Sequence, residues 1–201
     1  YMHFDIPHVV NLMATYDLPF GKGKKFFHSV NAFTNAFIGG WTIASVDVYR
    51  KGTLAQILTP GNPLGNGVMF SPLTKANPGT GPVRTGIDRT TLDPNNPSTR
   101  WLNAAAFTAA PTYTLGTAAF YHNDFRQPAV FTENFSVVKR TTLFVNDKNP
   151  IVLVYRADAF NAFNRTNFGG ITTAIGNANF GRPTGAQLGP RAITMGLRLE
   201  F

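Results

Sequence analysis

The sharpest constraint on this chain is the strict alternation of its last residues, 191–201. Ile193, Met195, Leu197, Leu199 and Phe201 fall on one side of an extended strand, and Thr194, Gly196, Arg198 and Glu200 on the other. A period of two marks a strand with one apolar and one polar face, because successive side chains point opposite ways. A tilted strand of about ten residues is also long enough to cross a bilayer, with lipid-facing and lumen-facing positions alternating. Taken alone, the segment fits equally well the half-buried last strand of a soluble all-β domain.

Charge content bears on that choice. Only 14% of the 201 residues are charged, against 43% hydrophobic and 13% aromatic; an ordinary soluble domain carries about 25% charged residues. The chain is short of the charge that coats a soluble surface. Its 19 Gly and 14 Pro suit strands joined by irregular loops. No apolar run approaches the roughly 18 residues of a membrane-crossing helix, which leaves barrel strands open because their hydropathy signal is weak. The lack of Cys removes disulfides, thiolate metal sites and thiol nucleophiles. The formal charge of +8 is scattered apart from Lys22, Lys24 and Lys25 in a Gly-rich turn. No recognition helix or RNA-binding motif accompanies it, so nucleic acid is not an expected partner. The chain opens on Tyr1 without Met or leader, and 1–201 is expected to be the C-terminal part of one longer barrel domain.

Five segments read as strands. Val10, Leu12, Ala14, Tyr16 and Leu18 alternate with Asn11, Thr15 and Asp17, and Pro19-Phe20-Gly21 ends the run. Asn31 to Phe37 suggests a helical turn or two. The second strand runs from Trp41 to about Lys51 with unclear parity; placing Asp47 in the lumen sends Ala44, Val46 and Val48 to the lipid. Residues 52 to about 132 read as loop, dense in Pro and Gly. The third strand is about Asn134 to Phe144, and Asn146 to Pro150 makes a tight turn into the fourth, Ile151 to about Phe163. A second long loop, Asn164 to Pro190, precedes the last strand. Long and short connections alternate, as periplasmic turns and outer loops of a barrel do. With Phe201 at the periplasmic rim, both long loops emerge outside and the 19–40 connection is periplasmic. The expected fold is all-β: antiparallel C-terminal strands of a large transmembrane β-barrel with long extracellular loops.

Catalysis has little support. His3, His8, His28 and His122 lie in unrelated segments, no nucleophile elbow occurs, and Gly21-Lys22-Gly23-Lys24 lacks the spacing of a phosphate loop. No enzyme activity, metal or cofactor is expected. Arg156 with Asp158, and Arg198 with Glu200, are same-face pairs that would line the lumen beside Asp47 as a ladder of charges, because a charge on the lipid face costs about 2–4 kcal/mol at midplane. Tyr16, Phe20, Trp41 and Phe201 would band at the periplasmic rim, with Tyr49 and Phe163 toward the outer one. Trp101, Phe107, Tyr121, Phe168 and Phe180 are candidate ligand contacts in the loops; the other reading is that loop aromatics pack the loops on one another.

Ordered blocks also carry a family likeness: Phe4-Asp5-Ile6-Pro7-His8, Tyr16-Asp17-Leu18-Pro19-Phe20-Gly21, Gly39-Gly40-Trp41, Arg100 to Phe107, Asn134 to Lys139, Arg156 to Asn164, Thr166 to Gly169, and Gly189-Pro190-Arg191 before Gly196 to Phe201. In this order the chain resembles the C-terminal barrel segment of Oar-like TonB-dependent receptors, outer-membrane proteins of Acidobacteria type with a carboxypeptidase-regulatory-like domain. The resemblance implies a barrel of about 22 strands with a plugged lumen, in the outer membrane of a Gram-negative type bacterium. It implies outer-membrane lipid, an upstream plug domain of the same parent chain, and TonB, reached through an N-terminal region, as partners. It also implies that the barrel-assembly machinery reads Met195, Leu197, Leu199 and Phe201 as a signal, and that an unknown ligand is bound at outer loops and moved across the membrane. The alternative is a soluble or secreted β-sandwich binding module, of carbohydrate type, using loop aromatics. That alternative predicts the alternating apolar residues in a closed core.

Overall fold

A computed structural model of the chain describes residues 4–59, 75–88, 91–93, 95–119, 121–122, 125–145 and 150–201, the side chains of 144 and 145 excepted. In chain order its elements are β1 (Val9–Asp17), a short helix α1 (Ala32–Ile38), β2 (Trp41–Arg50), the two-residue strands β3 (Asn77–Pro78) and β4 (Phe107–Thr108), then β5 (Val130–Val145), β6 (Pro150–Phe160) and β7 (Ala192–Glu200). They fall into two compact units, one of Val10–Tyr49, Phe131–Arg165 and Gly189–Phe201, the other of Tyr1–Val9, Arg50–Val130 and Thr166–Leu188. The turn expected at 146–150 lies outside the described residues except for Pro150, as do 60–63, Phe120 and His3.

The first unit is a sheet of order β1-β2-β5-β6-β7. β5 with β6, and β6 with β7, pair antiparallel. Register follows from alternation, since a slip of one residue would move every side chain to the opposite face. Leu153, Tyr155, Ala157 and Ala159 lie opposite Leu199, Leu197, Met195 and Ile193. Phe135 and Val137 extend that row through Ala159 and Ala157. On the other face Arg156 lies opposite Gly196 and Asp158 opposite Thr194. The observed strands match the expected ones to within a few residues; β5 starts earlier than expected, at Val130, and β6 ends earlier, at Phe160.

The approach to β2 is built from local chemistry. Asn31 caps α1 by accepting the Thr34 N–H at 2.8 Å, and the Gly39 N–H closes its last turn on the Asn35 carbonyl. Gly40 then turns at φ 71° directly against β5, where a Cβ would lie 2.1 Å from the Arg140 carbonyl oxygen. Only glycine fits both the left-handed backbone and that close approach.

One expectation is corrected in β2. The Trp41 ring lies under the Lys139 ammonium at 4.9 Å, and Tyr49 packs on Phe131 with ring centroids 5.9 Å apart. Lys139 shares the face of Tyr155 and Leu197, so by alternation Trp41, Ile43, Asp47 and Tyr49 lie on the apolar face. Asp47 is therefore not on the face of Arg156 and Asp158. Thr42 is on that face, donating to Asp17 Oδ1 at 2.6 Å. The parity of β2 was unreadable because Ile43, Val46 and Val48 put apolar side chains on both of its faces.

The second unit is made almost wholly of the two long connections. Its described residues hold little regular structure, chiefly β3, β4, a 3-10 turn over Ala104–Ala106 and isolated bridges. It is nevertheless a packed body, with Ala55, Ile57, Leu92, Leu102, Phe125 and Ile171 among its buried core residues. The connections are stitched through backbone bonds: Trp101 N–H to the Gly181 carbonyl at 2.6 Å, Gly181 N–H to Thr172 at 2.8 Å, and Ala118 N–H to Ala76 at 2.9 Å. Loop in secondary structure, the segment is a domain-like body in packing.

Candidate functional site

The charged face of the sheet gathers side chains from three strands. The Arg156 Nε–H points into the Asp158 carboxylate, 2.9 Å from Oδ1 and 2.8 Å from Oδ2. The Ser136 hydroxyl donates to the same carboxylate from β5. Arg198 pairs with Glu200 along β7, and Arg140 reaches Glu200 from β5 at 3.6 Å. Arg156, Asp158, Arg198 and Glu200, singled out from the sequence, are thus brought to one face. Sequence reasoning missed Arg140, although its even parity opposite Phe135 and Val137 was a usable signal. A cavity of about 380 Å³ lies on this face between Val138, Arg140, Val154, Arg156 and Arg198, floored by the bare Gly196. Three guanidinium groups against two carboxylates leave it net basic.

Along β7 the apolar face is uncovered among the described residues. Ile193, Met195, Leu197 and Leu199 are between 55% and 71% exposed, and Phe201 continues their row. At the end of the sheet where β2 finishes and β5 begins, this face changes character. Glu133, 2% exposed, lies 2.9 Å from the Arg165 Nε. Tyr49 neighbours both Glu133 and Asp47, and the Asp47 Oδ1 is buried without a hydrogen bond among the described residues. Phe163 packs edge-on against Phe135 at 5.7 Å, with the Arg165 guanidinium over the Phe163 ring at 5.8 Å. Aromatic rings thus collect at this end around an ion pair that no spacing in the sequence announces.

Four of the five candidate loop aromatics are core residues of the second unit: Trp101, Phe107, Phe168 and Phe180 are 3% to 8% exposed. Phe107 meets Phe180 edge-on at 6.3 Å and His122 at 5.1 Å. Rings this deep present no face to a ligand. Tyr121 is only half-buried, and its hydroxyl accepts from Gln56 Nε2 at 3.0 Å. Arg100 acts inside the same unit, donating to the Phe180 and Ala178 carbonyls at 2.7 and 3.1 Å. Among the described residues no three His, Asp or Glu side chains converge as a metal-binding group. No helix among them is long and apolar enough to cross a membrane, which leaves strand crossing unaffected.

A family model described as outer membrane beta barrel domain matches residues 1–194. No curated protein and no solved structure matches the chain.

Proposed function

This chain belongs to the outer membrane beta barrel domain family, and from that premise we propose that it is the wall and outer loops of a TonB-dependent receptor of the Oar-like kind. Its place is the outer membrane, and its fold is all-β. One observation carries the barrel-wall role: the sheet has a face of exposed apolar side chains and an opposite face bearing a ladder of ion pairs. In a lipid-embedded wall the first meets acyl chains and the second meets water, so both faces are satisfied without a second sheet. A β-sandwich would instead cover Ile193, Met195, Leu197 and Leu199. In this reading the net-basic ladder of Arg140, Arg156 and Arg198 faces the plug inside the lumen. The packed loop unit meets the ligand outside, which then passes the plug into the periplasm.

Two measurements on the full-length protein test the reading in order. Outer-membrane fractionation and gel mobility before and after boiling report the folded barrel; a soluble, heat-insensitive protein would sink it. Site-specific crosslinking to TonB in cells then reports energised transport. A heat-modifiable barrel that never crosslinks to TonB would remove the receptor assignment and leave adhesion or export.

A further inference from the structure

The connection between β1 and β2 is apolar and basic at once. Between Leu18 and Gly40 it contains Phe20, Phe26, Phe27, Phe33 and Phe37, with Lys22, Lys24 and Lys25 and no Asp or Glu. All five rings are exposed; Phe33 and Phe37 are 75% and 63% open although they meet edge-on at 5.2 Å. Phe20, Phe26 and Phe27 form a second cluster, with centroids 5.8 and 6.3 Å apart. Phe27 holds a φ of 60°, a costly backbone for a bulky residue. An aqueous connection would have no use for so many outward rings.

The segment is held as one piece and is tied to the apolar face of the sheet. The Lys22 N–H donates to Asn35 Oδ1 at 2.6 Å, joining turn to helix. The Trp41 indole N–H donates to the Phe37 carbonyl at 2.9 Å. From β5, the Thr141 hydroxyl donates to the Ala36 carbonyl at 3.3 Å and the Lys139 ammonium to the Gly39 carbonyl at 2.6 Å. Thr141 and Lys139 both lie on the lipid-facing row, opposite Leu153 and Tyr155. The helix is therefore fastened to the side of the sheet that meets lipid, at the end where the connections are periplasmic.

We propose that residues 18–40 form an interfacial foot that rests on anionic phospholipid of the periplasmic leaflet. Phe33, Phe37, Phe20, Phe26 and Phe27 enter the boundary between headgroups and acyl chains, and Lys22, Lys24 and Lys25 meet lipid phosphates. Two features of the segment select this occupant: continuity with the lipid-facing wall, and a basic charge with no acidic counterweight, which complements an anionic membrane surface. The proposal rests on the outer-membrane placement and is independent of the transport reading.

Residues 1–201 contain no Cys, and any Cys elsewhere in the full-length protein is replaced by Ser, so single-cysteine spin labels report cleanly. The full-length protein is reconstituted in vesicles of phosphatidylethanolamine with phosphatidylglycerol, carrying a nitroxide at Phe33→Cys or Phe37→Cys. Met195→Cys serves as the lipid-exposed standard and Asn177→Cys as the aqueous one, and the heat-dependent gel shift confirms that each variant is folded. Both foot labels are expected to be accessible to oxygen and shielded from a water-soluble nickel reagent, as at Met195→Cys. Nickel accessibility equal to that of Asn177→Cys overturns the proposal. Shielding from both reagents also overturns it, because a protein surface would then cover the foot. Replacing Lys22, Lys24 and Lys25 by Gln is expected to lower the immersed-to-free ratio about fivefold per lysine, equivalent to about 1 kcal/mol each at an anionic surface. Vesicles of phosphatidylcholine alone should reproduce that loss with the unaltered lysines. Insensitivity to both changes overturns the anionic-lipid assignment.

Discussion

Asn161, one residue past β6, occupies the left-handed region at φ 48° and is almost completely buried. Its Nδ2 donates to the Arg165 and Gly189 carbonyls at 3.0 and 3.2 Å, while its Oδ1 accepts the Arg165 N–H at 2.9 Å. Its own N–H reaches Asn134 Oδ1 at 3.0 Å. Asn is among the few residues that tolerate this backbone and can also bond locally. Asn161→Ala loses both properties and is expected to destabilise the barrel by about 2–4 kcal/mol, whereas Asn161→Gly keeps the backbone and should lose less. The temperature of the gel-mobility transition ranks the two variants; equal loss would show that the backbone term is negligible. In the loop unit, Gly181 has φ 78°, and a Cβ there would lie 2.5 Å from the Leu102 carbonyl oxygen. Gly181→Ala should therefore cost about 2–4 kcal/mol from strain and crowding together, read as accelerated proteolysis within the loops. Arg165→Ala strips the partner from the buried Glu133. Arg165 is half-exposed, so the expected loss is about 1–3 kcal/mol, and Glu133→Gln in the same chain should recover part of it.

At the scale of elements, the two faces of β7 make opposite demands. Met195 pairs with Ala157 and Thr194 with Asp158. Met195→Arg puts a charge toward acyl chains and should cost about 2–4 kcal/mol near midplane. Thr194→Arg, one residue away, faces water beside Asp158 and should stay within about 1 kcal/mol. Equilibrium unfolding in lipid vesicles compares them, and equal costs would mean that the two faces are not solvated differently. This contrast was legible in the sequence of β7 and β6, because only one parity in each carries charge. It was not legible in β2, where Asp47 sits among apolar side chains on both parities, and where Glu133, which shares Tyr49 as a neighbour, lies 86 positions later. Lys139 is a comparable exception in β5. It lies on the lipid-facing row, but its ammonium is held by the Gly39 carbonyl and the Trp41 ring at the rim, as a snorkelling lysine would be.

For the whole molecule, what could be read from the residues was the wall; what could not was the body made by its loops. Strand periodicity is local, so five strands and their connections follow from short windows. Trp101, Phe107, Phe168 and Phe180 follow no period and meet across long stretches of sequence, as the bond from Arg100 to the Phe180 carbonyl does. That is why they were candidates for ligand contact when their place is the core. The sheet itself ends in β1 and β7, each paired on one side only. Residues 1–201 produced alone should therefore self-associate through those edges, measured as aggregation on dilution from denaturant into detergent; a stable monomer would refute this. The shared core of the two long connections has a further consequence, for evolution and engineering. Since Leu102 and Trp101 of one are bonded to Gly181 of the other, neither can be traded for a foreign sequence without leaving its counterpart open. The heritable module is the pair of loops, and they should diversify in step.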